Sequence, residues 1–164
     1  MLCLIKHWAA LMNFKENLIR KCRFQLSALT KLKKNFKDQS LEALSAAIFL
    51  NATRMLKLGV IAEDVANYSQ VPVQDIERAK KFIEKGYEPE QLLNSGNPVE
   101  GAPVTGHAKI DFVTSDPQPL CRNFGNKLGL DKEMLALSQQ ILLLIKEKRL
   151  LDGKPPSTIA AVAI

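Results

Sequence analysis

Cysteine is scarce in this chain. Cys3, Cys22 and Cys121 are widely spaced and form no C-x-x-C pair, which excludes a disulfide framework and a zinc ribbon. Three reduced thiols suit a nuclear or cytosolic protein. His7 and His107 stand apart from each other and from any Cys or Asp cluster, so neither is read as a metal ligand or catalytic base. There is no nucleophile elbow, P-loop or Rossmann glycine pattern. We therefore expect no catalytic residue, metal or cofactor, and the chain is not read as an enzyme; a small helical enzyme has no motif to support it. No apolar run reaches transmembrane length, so no membrane contact is expected. The apolar opening, Met1 to Trp8, lacks a basic leader and an extended hydrophobic region, and reads as a packing helix. Strand signals are missing too, because no turn dipeptide is flanked by alternating apolar residues. These absences leave an all-α fold.

What is present is apolar and unevenly charged. Hydrophobic residues make up 46% of 164 residues, enough for the core of one ordinary domain or two small ones. The net charge is +6. Residues 1–40 hold nine Lys or Arg against Glu16 and Asp38, a net +7. Residues 41–100 carry six basic and nine acidic side chains, and residues 101–164 eight and six. A basic first segment is an electrostatic footprint suited to phosphate or an acidic partner.

Along the chain, Leu18, Cys22, Leu26, Leu29 and Leu32 recur at helical steps within 1–36, which reads as one or two helices. Ser40 is placed to cap a helix over 41–58 that is apolar on most sides, with Gly59 as its C′ residue. This helix is expected to be the most buried element. A short helix over 61–69, a turn fixed by Pro72 and a longer helix over 73–85 follow. Together they make a helix-turn-helix pattern. Ile76, Ala79 and Ile83 face inward there, and Arg78, Lys81 and Lys85 outward. Residues 87–117 are rich in breakers (Asn97-Pro98, Ala102-Pro103, Asp116-Pro117) and read as a linker. Then come a helix over 119–127, and a helix capped by Asp131 with Met134, Leu135, Leu137, Ile141, Leu142, Leu144 and Ile145 largely inward. After the loop 152–156 the last helix begins.

That last helix repeats an earlier one. Leu44 corresponds to Ile159, and Ser45-Ala46-Ala47 to Ala160-Ala161-Val162. Small residues let neighbours approach on all sides, so two such helices suggest two similar bundles, each built about a central helix. The second copy stops at Ile164, which predicts an incompletely covered second bundle and an exposed apolar face on Ile159, Val162 and Ile164.

Glu42 to Leu50, with Asp64-Val65-Ala66 and Asp75 to Lys80, resembles the first cyclin-like repeat of the eukaryotic transcription factor IIB family. Arg122 to Leu130 is similar to the start of that family's second repeat, and Gly153 to Ala161 to its loop and central helix. The plant forms are the most similar, through Glu77 to Ile83. The resemblance implies a first cyclin-like repeat over 1–86, a linker over 87–117 and a truncated second repeat over 118–164. It implies a nuclear general transcription initiation factor that binds the TATA-binding protein and, through backbone contacts, promoter DNA, within reach of the RNA polymerase machinery. The contact residues it implies are Lys37, Arg78, Lys80, Lys81, Lys85, Gly153 and Lys154. The family's basic-glycine-arginine stretch is Lys37-Asp38-Gln39 here, so a carboxylate stands where phosphates approach. The zinc ribbon and the helix-turn-helix of the second repeat have no counterpart. The alternative is a cyclin-box protein-protein interaction module without DNA binding.

Overall fold

A computed structural model describes residues 1–14, 16–31, 40–86, 110 and 112–164. Among these residues helix is the only regular secondary structure and there is no strand, as the sequence predicts. The elements are α1 (Leu2–Leu11), α2 (Glu16–Lys31), α3 (Leu41–Met55), α4 (Ala62–Ser69), α5 (Val73–Gly86), α6 (Pro117–Lys127), α7 (Lys132–Glu147) and α8 (Pro156–Val162).

α3 is the axis of the first core and packs against α1, α2, α4 and α5. Ser40 starts it: its Oγ accepts the Ala43 N–H at 3.1 Å and satisfies one of the orphan donors of the first turn. Ala43 through Thr53 are buried without interruption, on every side of the helix. Its alanines admit neighbouring helices, and Phe49 fills the larger gap: Trp8 meets its ring edge-on at a centroid distance of 6.1 Å. Buried residues of α2 on this core are Leu18, Cys22, Gln25, Ala28 and Leu29. Leu26 is half-buried, and Leu32 lies outside the described residues.

α3 ends earlier than its composition suggests. Lys57, not Gly59, is the C′ residue, at φ +52°. Lys57 N–H donates to the Arg54 carbonyl and Leu58 N–H to the Thr53 carbonyl, both at 3.0 Å, which is a Schellman closure. Gly59 has φ +68° and serves a different contact. A Cβ there would lie 2.8 Å from the carbonyl carbon of Pro119, closer still to its oxygen, and 3.1 Å from Cβ of Asn123. The missing side chain lets α6 sit against the turn after α3.

α4 and α5 meet at the Gln70–Pro72 turn, with Gln70 left-handed at φ +58°. Ile76, Ala79 and Ile83 of α5 are buried as the periodicity predicts. The residues just before α6 join this first bundle. Ile110 is buried in its core, Phe112 packs on it, and the Val113 N–H donates to Oδ1 of Asn51 at 2.9 Å. The last part of the 87–117 segment therefore packs on α3.

A second, smaller core unites Leu120 and Cys121 of α6, Leu142 and Ile145 of α7, and Ala160 and Ala163 at α8. Asp116 caps α6 through the Gln118 N–H (3.1 Å), and Asp131 caps α7 through the Met134 N–H (2.8 Å). The element lengths repeat: helices of 10 and 16 residues precede small-residue α3, and helices of 11 and 16 precede small-residue α8. The covering does not repeat. Of the seven α7 side chains expected inward, Leu142 and Ile145 are buried and Leu135 half-buried, while Met134, Leu137, Ile141 and Leu144 are exposed. α8 lies mainly along α6. It shields one side of α7, whereas in the first core α3 packs on α2 with α1, α4 and α5 around it. Of the three apolar α8 positions expected to be uncovered, Val162 is exposed, and Ile159 and Ile164 are half-buried.

Candidate functional site

The basic face of α5 is the best-defined of the sequence-predicted surfaces. Burial of Ile76, Ala79 and Ile83 fixes the rotation of the helix, and so turns Arg78 and Lys81 to solvent. Arg78 is 70% exposed and pairs with Asp75 one turn back at 2.9 Å. That pair is solvent-screened and weakly held, so the guanidinium is open to exchange its partner. Lys80, a contact residue by the resemblance, is less open. It is half-buried, with Nζ 3.8 Å from Glu77 and 6.0 Å from the ring centroid of Phe112. Its ammonium thus lies near the segment that returns to α3. Lys37 and the side chain of Lys85 lie outside the described residues.

Gly153 and Lys154 occupy the turn between α7 and α8. Gly153 has φ +81° with open space where a side chain would be, and Lys154 is exposed, its N–H donating to the Leu151 carbonyl at 3.1 Å. The turn therefore presents a backbone without Cβ cover beside a free ammonium. It belongs to the second core, and Arg78 and Lys81 belong to the first.

The junction of the two cores forms a polar groove that the sequence reading missed. It has a volume of about 270 Å³ and is lined by cationic Lys57 and Arg122, with Asp116, Gln118, Asn123 and Asn126 among its other walls. Asn123 Nδ2 donates to the Gly59 carbonyl at 2.7 Å, and Lys127 pairs with Asp64 at 2.6 Å, so α6 is tied to the α3–α4 connection and to the first turn of α4. Asp116 is held by its own helix and by Lys146 at 3.3 Å. Arg54 lies beside this groove, half-buried, its Nε buried without a hydrogen-bond partner. Burial pulls its pKa below the ordinary arginine value, opposed by Glu77 and Glu63. Lys57 and Arg122 are far apart in sequence and neither sits in a charge run, so no local signal announced them.

The described residues hold no cluster of three or more His, Cys, Asp or Glu suited to a metal ion, and none of their helices is long and apolar enough to cross a membrane. Cys22 and Cys121 are buried and Cys3 exposed, all as free thiols. Burial pushes the Cys22 thiol up to about 12 and raises that of Cys121. No protein-family model matches the chain, and no curated protein matches it in sequence.

Proposed function

We propose that this chain is a nuclear, non-enzymatic adaptor similar to transcription factor IIB, binding a TATA-binding protein–promoter complex during preinitiation complex assembly. One observation carries most weight: the same order of a short helix, a sixteen-residue helix and a small-residue helix occurs twice. These helices fall largely within residues 1–86 and 118–164, the spans that the resemblance assigns to two cyclin-like repeats. The exposed Arg78 and Lys81 on the second helix of a helix-turn-helix, and the Gly153-Lys154 turn, supply backbone-type contacts to an anionic partner. Lysine and arginine contacts to phosphate release counterions, so binding weakens with salt.

Gel mobility with purified TATA-binding protein and a TATA duplex tests this. The parent chain is expected to supershift the complex, and less so as salt rises. Combined Arg78→Glu, Lys80→Glu and Lys81→Glu is expected to reduce that binding at least about tenfold. A parent chain that never supershifts refutes the adaptor reading. A triple variant that supershifts like the parent removes α5 as the contact surface. The second reading, a protein-interaction module without DNA contact, draws on the exposed apolar side of α7.

A further inference from the structure

The apolar side of α7 has a pattern of its own. Met134, Leu137, Ile141 and Leu144 are 46%, 51%, 37% and 53% exposed and follow one another at steps of three, four and three. That is the a/d seam of a coiled coil. Ser138, Leu142 and Ile145 lie on the adjoining side and are buried in the second core. The seam is thus presented outward by a helix already held in place. We propose that it is a self-association surface, on which α7 of a second copy of this chain packs antiparallel across a two-fold axis near Gln139.

Two observations select this occupant. The spacing reads the same from either end, so reversal sets Met134 on Leu144 of the second copy and Leu137 on Ile141, every layer pairing an a with a d residue. An isologous contact requires such self-complementarity. The ends of α7 also differ in charge. Asp131, Lys132 and Glu133 sum to −1, and Lys146, Glu147, Lys148 and Arg149 to +2. Antiparallel packing sets each acidic end against a basic end and opposes the helix dipoles. Parallel packing would instead set Lys148 on Lys148. A sixteen-residue helix is about 24 Å long, so the contact is at the small end of specific interfaces. The dimer is accordingly weak and concentration-dependent. It does not rest on the transcription-factor reading.

Sedimentation equilibrium of the full chain over about 1–300 μM, which spans the weak-affinity range, is expected to show a monomer–dimer equilibrium. Leu137→Lys, and separately Leu144→Lys, are expected to raise the dissociation constant by about a hundredfold or more, with unchanged circular dichroism because both side chains are already half in water. Orientation is read by mixing Met134→Cys and Leu144→Cys chains, each carrying Cys3→Ser, under mild oxidation. The mixed disulfide is expected. A parent that stays monomeric, a broad distribution of aggregates, or dimerisation unaffected by both lysine variants overturns the proposal. Disulfides formed only between two Met134→Cys chains overturn the antiparallel arrangement.

Discussion

Replacing Gly59 by alanine isolates how tightly the two cores are joined. Two costs arise. The backbone at φ +68° is left-handed, a conformation that costs a residue with a Cβ roughly 1 kcal/mol relative to glycine. The added methyl also meets the Pro119 carbonyl group and Asn123 Cβ. Two of these atoms are backbone, so relief requires α6 to shift, at an overpacking cost of about 1–3 kcal/mol. The expected loss is therefore about 2–4 kcal/mol, a large share of the roughly 5–15 kcal/mol that stabilises an ordinary domain. Gly129→Ala supplies the control, because Gly129 has φ +72° and no atom within 4 Å of the place a methyl would take. It should show the backbone cost alone, about 1 kcal/mol. Urea unfolding of parent and both variants gives the two differences, and amide exchange across α6 locates the damage. A Gly59→Ala variant no less stable than Gly129→Ala would refute the reasoning, since the α6 contact would then yield without cost.

Two further outcomes follow from buried polar chemistry. Asn51→Ala deprives the Val113 N–H of its acceptor, and is expected to cost about 1–3 kcal/mol in urea unfolding and to speed exchange of the Val113 amide. Cys22 titrates only near 12 in the folded chain because its thiolate would be buried, against an ordinary value near 9. The unfolded chain loses this proton first, so the contribution is intact below about pH 9 and stability falls as pH rises from there toward 12; Cys22→Ala is expected to flatten that decline in a pH series of melts.

Much of the architecture was legible because its causes are local. The Ser40 and Asp131 caps and the Pro72 break depend on chemistry within a few residues, and each stands where the sequence put it. The burial of α3 was legible from its alanines. The end of α3 was not, because Gly59 satisfies a contact with residues 119 and 123, and local rules assign a lone glycine to the nearest helix end. The face of α7 was misread for a related reason: apolar content states what a helix can bury, while the placement of its neighbours decides what it does bury. The α5 surface was half legible. Helical spacing turned Arg78 and Lys81 outward, but Lys80 answers to Phe112, far along the chain. The Lys57–Arg122 groove had no local signature at all.

The contact between Asn51 and Val113 also bears on how the chain is made. The two residues are 62 positions apart, and Ile110 enters the same core. Helices α1 to α5 emerge from the ribosome ahead of residues 110–113, and their mutual contacts are local enough to form quickly. The growing chain therefore passes through a stage in which five helices have gathered while the side of α3 facing residues 110–113 still touches solvent. A ribosome at about 5–20 residues per second needs seconds to supply the missing stretch. The first bundle is sealed from the far side of the connecting segment, so a fragment ending at residue 86 carries its five helices without the residues that close them, and the birth order of the polypeptide differs from the order in which its core becomes complete.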